Sequence, residues 1–62
     1  MLNEEQIKKL LKTELQMYVK NLKNDNLHFC ENGAAALAYL KVLGKDNKFL
    51  SLSIAEKLIR EL

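Results

Sequence analysis

The feature that most constrains the fold is a strong helix-start signal at the amino end, followed by about twenty residues with helical spacing of apolar side chains. Asn3 is a good N-cap, and Gln6 completes a capping-box-like pair with it. Glu4 and Glu5 suit the positive end of the helix dipole. The pattern predicts a helix over residues 4–23, about 30 Å long.

A second helix is predicted from the run AAALAYLKVL, which contains a single charged residue and is followed by Gly44. An apolar pattern all round a helix is typical of a buried element, and glycine suits the position just after a helix end. We therefore expect a buried helix over residues 33–43. A loop should precede it, in which Leu27 and Phe29 fill the core.

A third helix is predicted near the carboxyl end. Ser53 with Glu56 three residues later fits a capping box, while Ser51 is the other possible N-cap. We prefer Ser53, which gives a helix over residues 54–62. The polar stretch over residues 44–48 reads as a turn.

Composition agrees with an all-α class. Thirteen Leu and five Ala stand against two Gly, no Pro and only five Val plus Ile, which favours helices over sheets. We expect a single domain over residues 1–62, a small three-helix bundle in which one long N-terminal helix is packed by two shorter ones. The shorter helices together match the length of the long one, so both fit along it.

Catalytic, cofactor and metal sites are not expected. The most reactive-looking cluster is His28-x-Cys30-Glu31, but one His and one Cys are too few for a zinc site. We expect Cys30 to be a small core hydrophobe and His28 to be a loop residue. Both glycines stand alone, so no phosphate-binding loop is present. These observations argue against an enzyme.

Self-association is expected from the surplus of apolar surface. The apolar arc of the first helix covers about 200°, more than one neighbour needs. A core of this size without disulfide or metal is also marginal alone. The candidate interface residues, for a homodimer or for a different protein partner, are Leu10, Glu14, Met17, Asn21, Tyr39, Val42 and Leu43.

The function favoured by these features is a small intracellular protein–protein interaction module, a regulator or inhibitor that covers a partner's surface. We expect it in the cytoplasm and not in a membrane, because no apolar run approaches the roughly 20 residues of a membrane span and the amino end lacks an apolar signal region. The Lys- and Asn-rich composition is typical of AT-rich bacterial and phage genomes. The alternative is a nucleic-acid-binding accessory protein that uses the lysine face of the first helix: Lys8, Lys12, Lys20 and Lys23.

Overall fold

The computed structural model describes residues 2–45 and 49–62, which form three helices: α1 (Glu4–Lys23), α2 (Phe29–Val42) and α3 (Leu52–Glu61). α1 is the longest, and both shorter helices pack against it. The predicted three-helix, all-α architecture is therefore confirmed. Most of the polar turn predicted over residues 44–48 lies outside the described residues.

The start of α1 is the predicted capping box. The Asn3 side chain accepts a hydrogen bond from the backbone N–H of Gln6 at 2.8 Å, and the Gln6 side chain accepts one from the backbone N–H of Asn3 at 2.9 Å. Lys20 and Lys23 lie in the last turn, where the dipole favours positive charge. Local sequence alone thus sets both ends of this helix.

α2 begins earlier than predicted, at Phe29 rather than at residue 33. Asn26 starts the turn: its side chain accepts from the His28 N–H at 3.0 Å and its carbonyl accepts from the Phe29 N–H at 3.1 Å. Gly33 lies inside the helix because Tyr18 of α1 packs there; a Cβ at this position would lie 3.1 Å from Tyr18 Cε1. The glycine that looked like a helix boundary is thus a site of close helix packing.

The predicted burial of this region is wrong in two respects. Leu27 is 80% exposed and does not fill the core, whereas Phe29 packs against the core and meets the Tyr18 ring edge-on with centroids 6.0 Å apart. α2 is also not buried all round, because of the two other helices only α1 comes within 8 Å of it, measured between the Cα atoms of the described residues. Its buried residues are Asn32, Gly33, Ala36 and Leu40, and its exposed ones include Ala34, Ala38 and Val42.

α3 begins with Ser51 as its N-cap, so the preferred Ser53 start is wrong by two residues. The Ser51 hydroxyl accepts from the Ile54 N–H at 3.3 Å, and its backbone is extended, as an N-cap requires. The segment leading into α3 is tied to α1 by the Tyr18 hydroxyl, which donates to the Leu50 carbonyl at 3.3 Å. That tertiary bond favours the earlier start.

The shorter helices both run antiparallel to α1 and lie side by side rather than one after the other. Asn32 near the start of α2 bonds Asn21 near the end of α1. Leu62, just after α3, lies beside Glu5 and Lys8 near the start of α1. Both shorter helices therefore begin beside the end of α1. No Cα of α2 lies within 8 Å of a Cα of α3 among the described residues. The core between the three helices consists of Leu11, Leu15, Tyr18, Ala36, Leu40, Ala55 and Leu58.

Candidate interaction surfaces

A chain of polar side chains joins α1 to α2 on one flank of α2. Asn21 Nδ2 donates to Asn32 Oδ1 at 2.6 Å, and Asn32 Nδ2 donates to Glu14 Oε2 at 3.0 Å. Asn32 is only 8% exposed, while Glu14 and Asn21 are half-buried. Glu14 and Asn21, the polar residues within the apolar arc of α1, are therefore accounted for by hydrogen bonds within the chain.

Exposed apolar side chains flank this polar chain. Leu10 is 39% exposed and Met17 46% exposed on α1, and Val42 is 67% exposed on α2. Because Tyr18 lies opposite Gly33 and the helices are antiparallel, Leu10 falls near the level of Val42. We call this surface the seam face, formed by Leu10, Glu14, Met17, Asn21, Asn32, Ala35, Tyr39 and Val42.

The predicted interface residues are thus brought together with one exception. Six of the seven share the seam face, although Tyr39 is only partly exposed and packs in part against the core. Leu43 packs against the core at the end of α2. Among the described residues, Leu10, Met17 and Val42 of this face are exposed.

A second surface lies around Phe49, in the segment that leads into α3. It has two neighbouring depressions, one between this segment and the other flank of α2 and one between Phe49 and α3. Phe49 borders both depressions and is 66% exposed. The α2 side is apolar and small, and on the α3 side Lys57 and Glu61 form a polar rim. We call this surface the Phe49 groove, lined by Cys30, Gly33, Ala34, Leu37, Phe49, Leu50, Ile54, Lys57, Leu58 and Glu61.

The Phe49 groove was not predicted from the sequence. Cys30, Ala34 and Leu37 stand at helical spacing on one side of α2, which indicates a shared face. The prediction that α2 is buried all round left no exposed face to which these residues could be assigned. Cys30, expected to be a core hydrophobe, is instead an exposed free thiol, because it lies on the flank of α2 that α1 does not cover.

The lysines of the nucleic-acid alternative do not form a row of unpaired ammonium groups. Lys8 Nζ lies 3.4 Å from a Glu4 carboxylate oxygen, and Lys23 Nζ lies 3.7 Å from one of Glu56. Lys12 is half-buried, and Lys20 is exposed. Carboxylates interleaved with the lysines lower the positive potential that a phosphate backbone would meet.

The His28 cluster shows one close side-chain contact at the start of α2. His28 Nδ1 lies 3.5 Å from Glu31 Oε2, and both side chains are exposed. Within residues 2–45 and 49–62, no three His, Cys, Asp or Glu side chains lie close enough together to hold a metal ion. None of the three helices described has the length and apolar character to cross a bilayer.

Comparisons with known proteins do not add to this description. No protein-family model matches the chain, and no curated protein and no solved structure is significantly similar to it. The two surfaces are therefore the features of the chain that bear on its function.

Proposed function

We propose that this chain is a small protein-binding module that acts as a regulator or inhibitor by covering a partner's surface with its Phe49 groove. The observation that carries the proposal is the 66% exposure of Phe49 in an apolar groove. Exposed apolar patches rimmed by polar residues usually mark interaction sites, and aromatic side chains often dominate binding energy.

The partner element that fits best is an amphipathic helix from a different protein. The two depressions that Phe49 borders together form a largely apolar surface, on which the apolar face of a helix can lie. Ala34 on the groove wall permits close approach of another backbone, as small residues do between packed helices. Lys57 and Glu61 supply one charge of each sign on the rim, so the partner need not be strongly charged.

The cytoplasm is the compartment that we propose for this activity. Cys30 is a free thiol on the surface. Reducing compartments keep such thiols unpaired, whereas oxidising ones promote their cross-linking.

The proposal is tested with a photo-crosslinking residue at position 49 of the full chain, expressed in its native host, and with the same residue at exposed Gln16 as the matched control. We expect a discrete protein adduct from position 49 and none from position 16. The adduct protein, once purified, should bind the wild-type chain and bind Phe49→Asp roughly tenfold or more weakly. Equal binding of both chains contradicts the proposal.

The same material separates protein binding from nucleic-acid binding. Nuclease treatment and a rise from about 0.1 M to about 0.5 M salt should leave partner binding largely intact, because apolar burial is not screened. Joint conversion of Lys8, Lys12, Lys20 and Lys23 to Gln should also preserve it. Loss of binding in these experiments would instead support the nucleic-acid alternative.

A further inference from the structure

We propose that a second copy of this chain covers the seam face, related by a two-fold axis parallel to α1 and α2. The proposal goes beyond the function above, since it concerns the opposite flank of α2 and a different occupant. Leu10, Met17 and Val42 expose apolar surface there around polar groups that already satisfy one another. Covering the face therefore removes apolar area from water without breaking the hydrogen bonds at its centre.

The area of the face is that of a weak, reversible dimer. Two helices side by side are about 20 Å wide, and α2 is about 21 Å long, which gives roughly 420 Å² per copy and roughly 840 Å² in total. The chain also exposes 4579 Å², whereas a folded monomer of 7.2 kDa exposes about 4,100 Å². The excess is close to the size of one such face.

The direction of the axis follows from the charges at the two edges of the face. Each helix has an outer edge, which is the side of the seam face farther from the other helix. Helical spacing puts Lys20 and Lys9 at the outer edge of α1. It puts Glu31 at the outer edge of α2, at nearly the same height along the helices as Lys20. An axis parallel to the helices brings α1 onto α2 of the second copy at the same level. Lys20 then meets Glu31 of the second copy, and the pair occurs twice.

The other face-to-face arrangement, with its axis perpendicular to the helices, places α1 against α1. Lys20 would then meet Lys9 of the second copy, and like charges oppose that pairing. The parallel axis also places the Tyr39 hydroxyl of the second copy at the level of Glu14. The Glu14 carboxylate retains acceptor capacity beyond its bond to Asn32, so it can accept this hydrogen bond.

Sedimentation equilibrium of the full chain tests the proposal. We expect a mass near twice the 7.2 kDa of one chain. Met17→Asp should weaken association roughly tenfold or more, because it places a charge in the apolar part of the face. Lys20→Glu and Glu31→Lys should each weaken it, and the two together should restore it. Phe49→Ser is the matched control in the other surface and should leave association unchanged.

Several results would overturn the proposal. One is a monomer mass at concentrations well above micromolar. Others are a dimer unaffected by Met17→Asp, a charge-swapped double variant weaker than either single variant, or dissociation by Phe49→Ser. Circular dichroism shows whether each variant remains folded. Because the experiment contains no other protein, its failure is distinct from failure of the Phe49 groove to bind a partner.

Discussion

The two flanks of α2 are built in different ways, although one helix carries both. On the seam face, α2 is held to α1 by directed hydrogen bonds through Asn32, which fix the register of the two helices. On the groove side, it is held by shape, because Gly33 lets the Tyr18 ring approach closely. The hydrogen bonds of Asn32 tolerate little chemical change, and the close contact between Gly33 and Tyr18 tolerates little change of side-chain volume.

This difference also separates what each surface can bind. The seam face combines apolar side chains with a fixed polar pattern, which suits one orientation of one partner such as a second copy. The described lining of the Phe49 groove is largely apolar, with Lys57 and Glu61 on its α3 side, which suits the apolar face of an amphipathic helix. A dimer formed through the seam face would leave both grooves open.

The largest effect on stability is expected from Asn32→Asp. This change keeps the shape of the side chain but replaces the amide that donates to Glu14 with a carboxylate, so that two negative groups meet where the present distance is 3.0 Å. The expected loss is about 3 kcal/mol in the free energy of unfolding. Urea denaturation measures it.

A second substitution tests the cause. Glu14→Gln in the Asn32→Asp background supplies an amide donor to the new carboxylate and should recover more than half of the loss. Gln16→Glu, the same change of an amide to a carboxylate at an exposed position within α1, should change stability by no more than about 0.5 kcal/mol. An equal loss from the Gln16 variant would show that the effect is general and does not come from the seam.

A smaller effect is expected from Gly33→Leu. The new side chain would begin 3.1 Å from the Tyr18 ring, and such overpacking outweighs the better helix propensity of leucine, for a net loss of about 2 kcal/mol. Ala38→Leu, an exposed position of the same helix, should be neutral within about 0.5 kcal/mol. Thermal or urea unfolding of the pair that showed equal stabilities would contradict the close-packing role of Gly33.

Local sequence was sufficient where local interactions decide the structure. The Asn3 capping box fixes the start of α1 by bonds across three residues, so it could be predicted. The starts of α2 and α3 were predicted wrongly, because Tyr18 acts on both regions from far away in sequence. Its ring packs on Gly33, which therefore lies inside α2 and not at its boundary. Its hydroxyl donates to the Leu50 carbonyl just before α3.

The two surfaces also differ in how far local sequence predicts them. Leu10 and Met17 lie in an apolar arc wider than one neighbour needs, and that width is visible in one helix. The Phe49 groove depends also on where the segment before α3 lies relative to α2, a tertiary relation that the helical spacing of α2 does not give. For that reason six residues of the seam face could be listed from the sequence, whereas the groove was not predicted.

The smallest effect on stability, and the sharpest separation of the two surfaces, is expected at Cys30. Since this thiol is exposed, Cys30→Ser should change the free energy of unfolding by no more than about 0.5 kcal/mol, and a maleimide should label the native thiol nearly as fast as the unfolded one. A bulky adduct there should block partner binding in the Phe49 groove while the dimer mass stays the same. The matched experiment uses a chain with Cys30→Ser and Val42→Cys. The same adduct, now at position 42, should dissociate the dimer and leave the groove free. If one adduct abolished both activities, the two flanks of α2 would not be independent sites, and the division of function between them would be wrong.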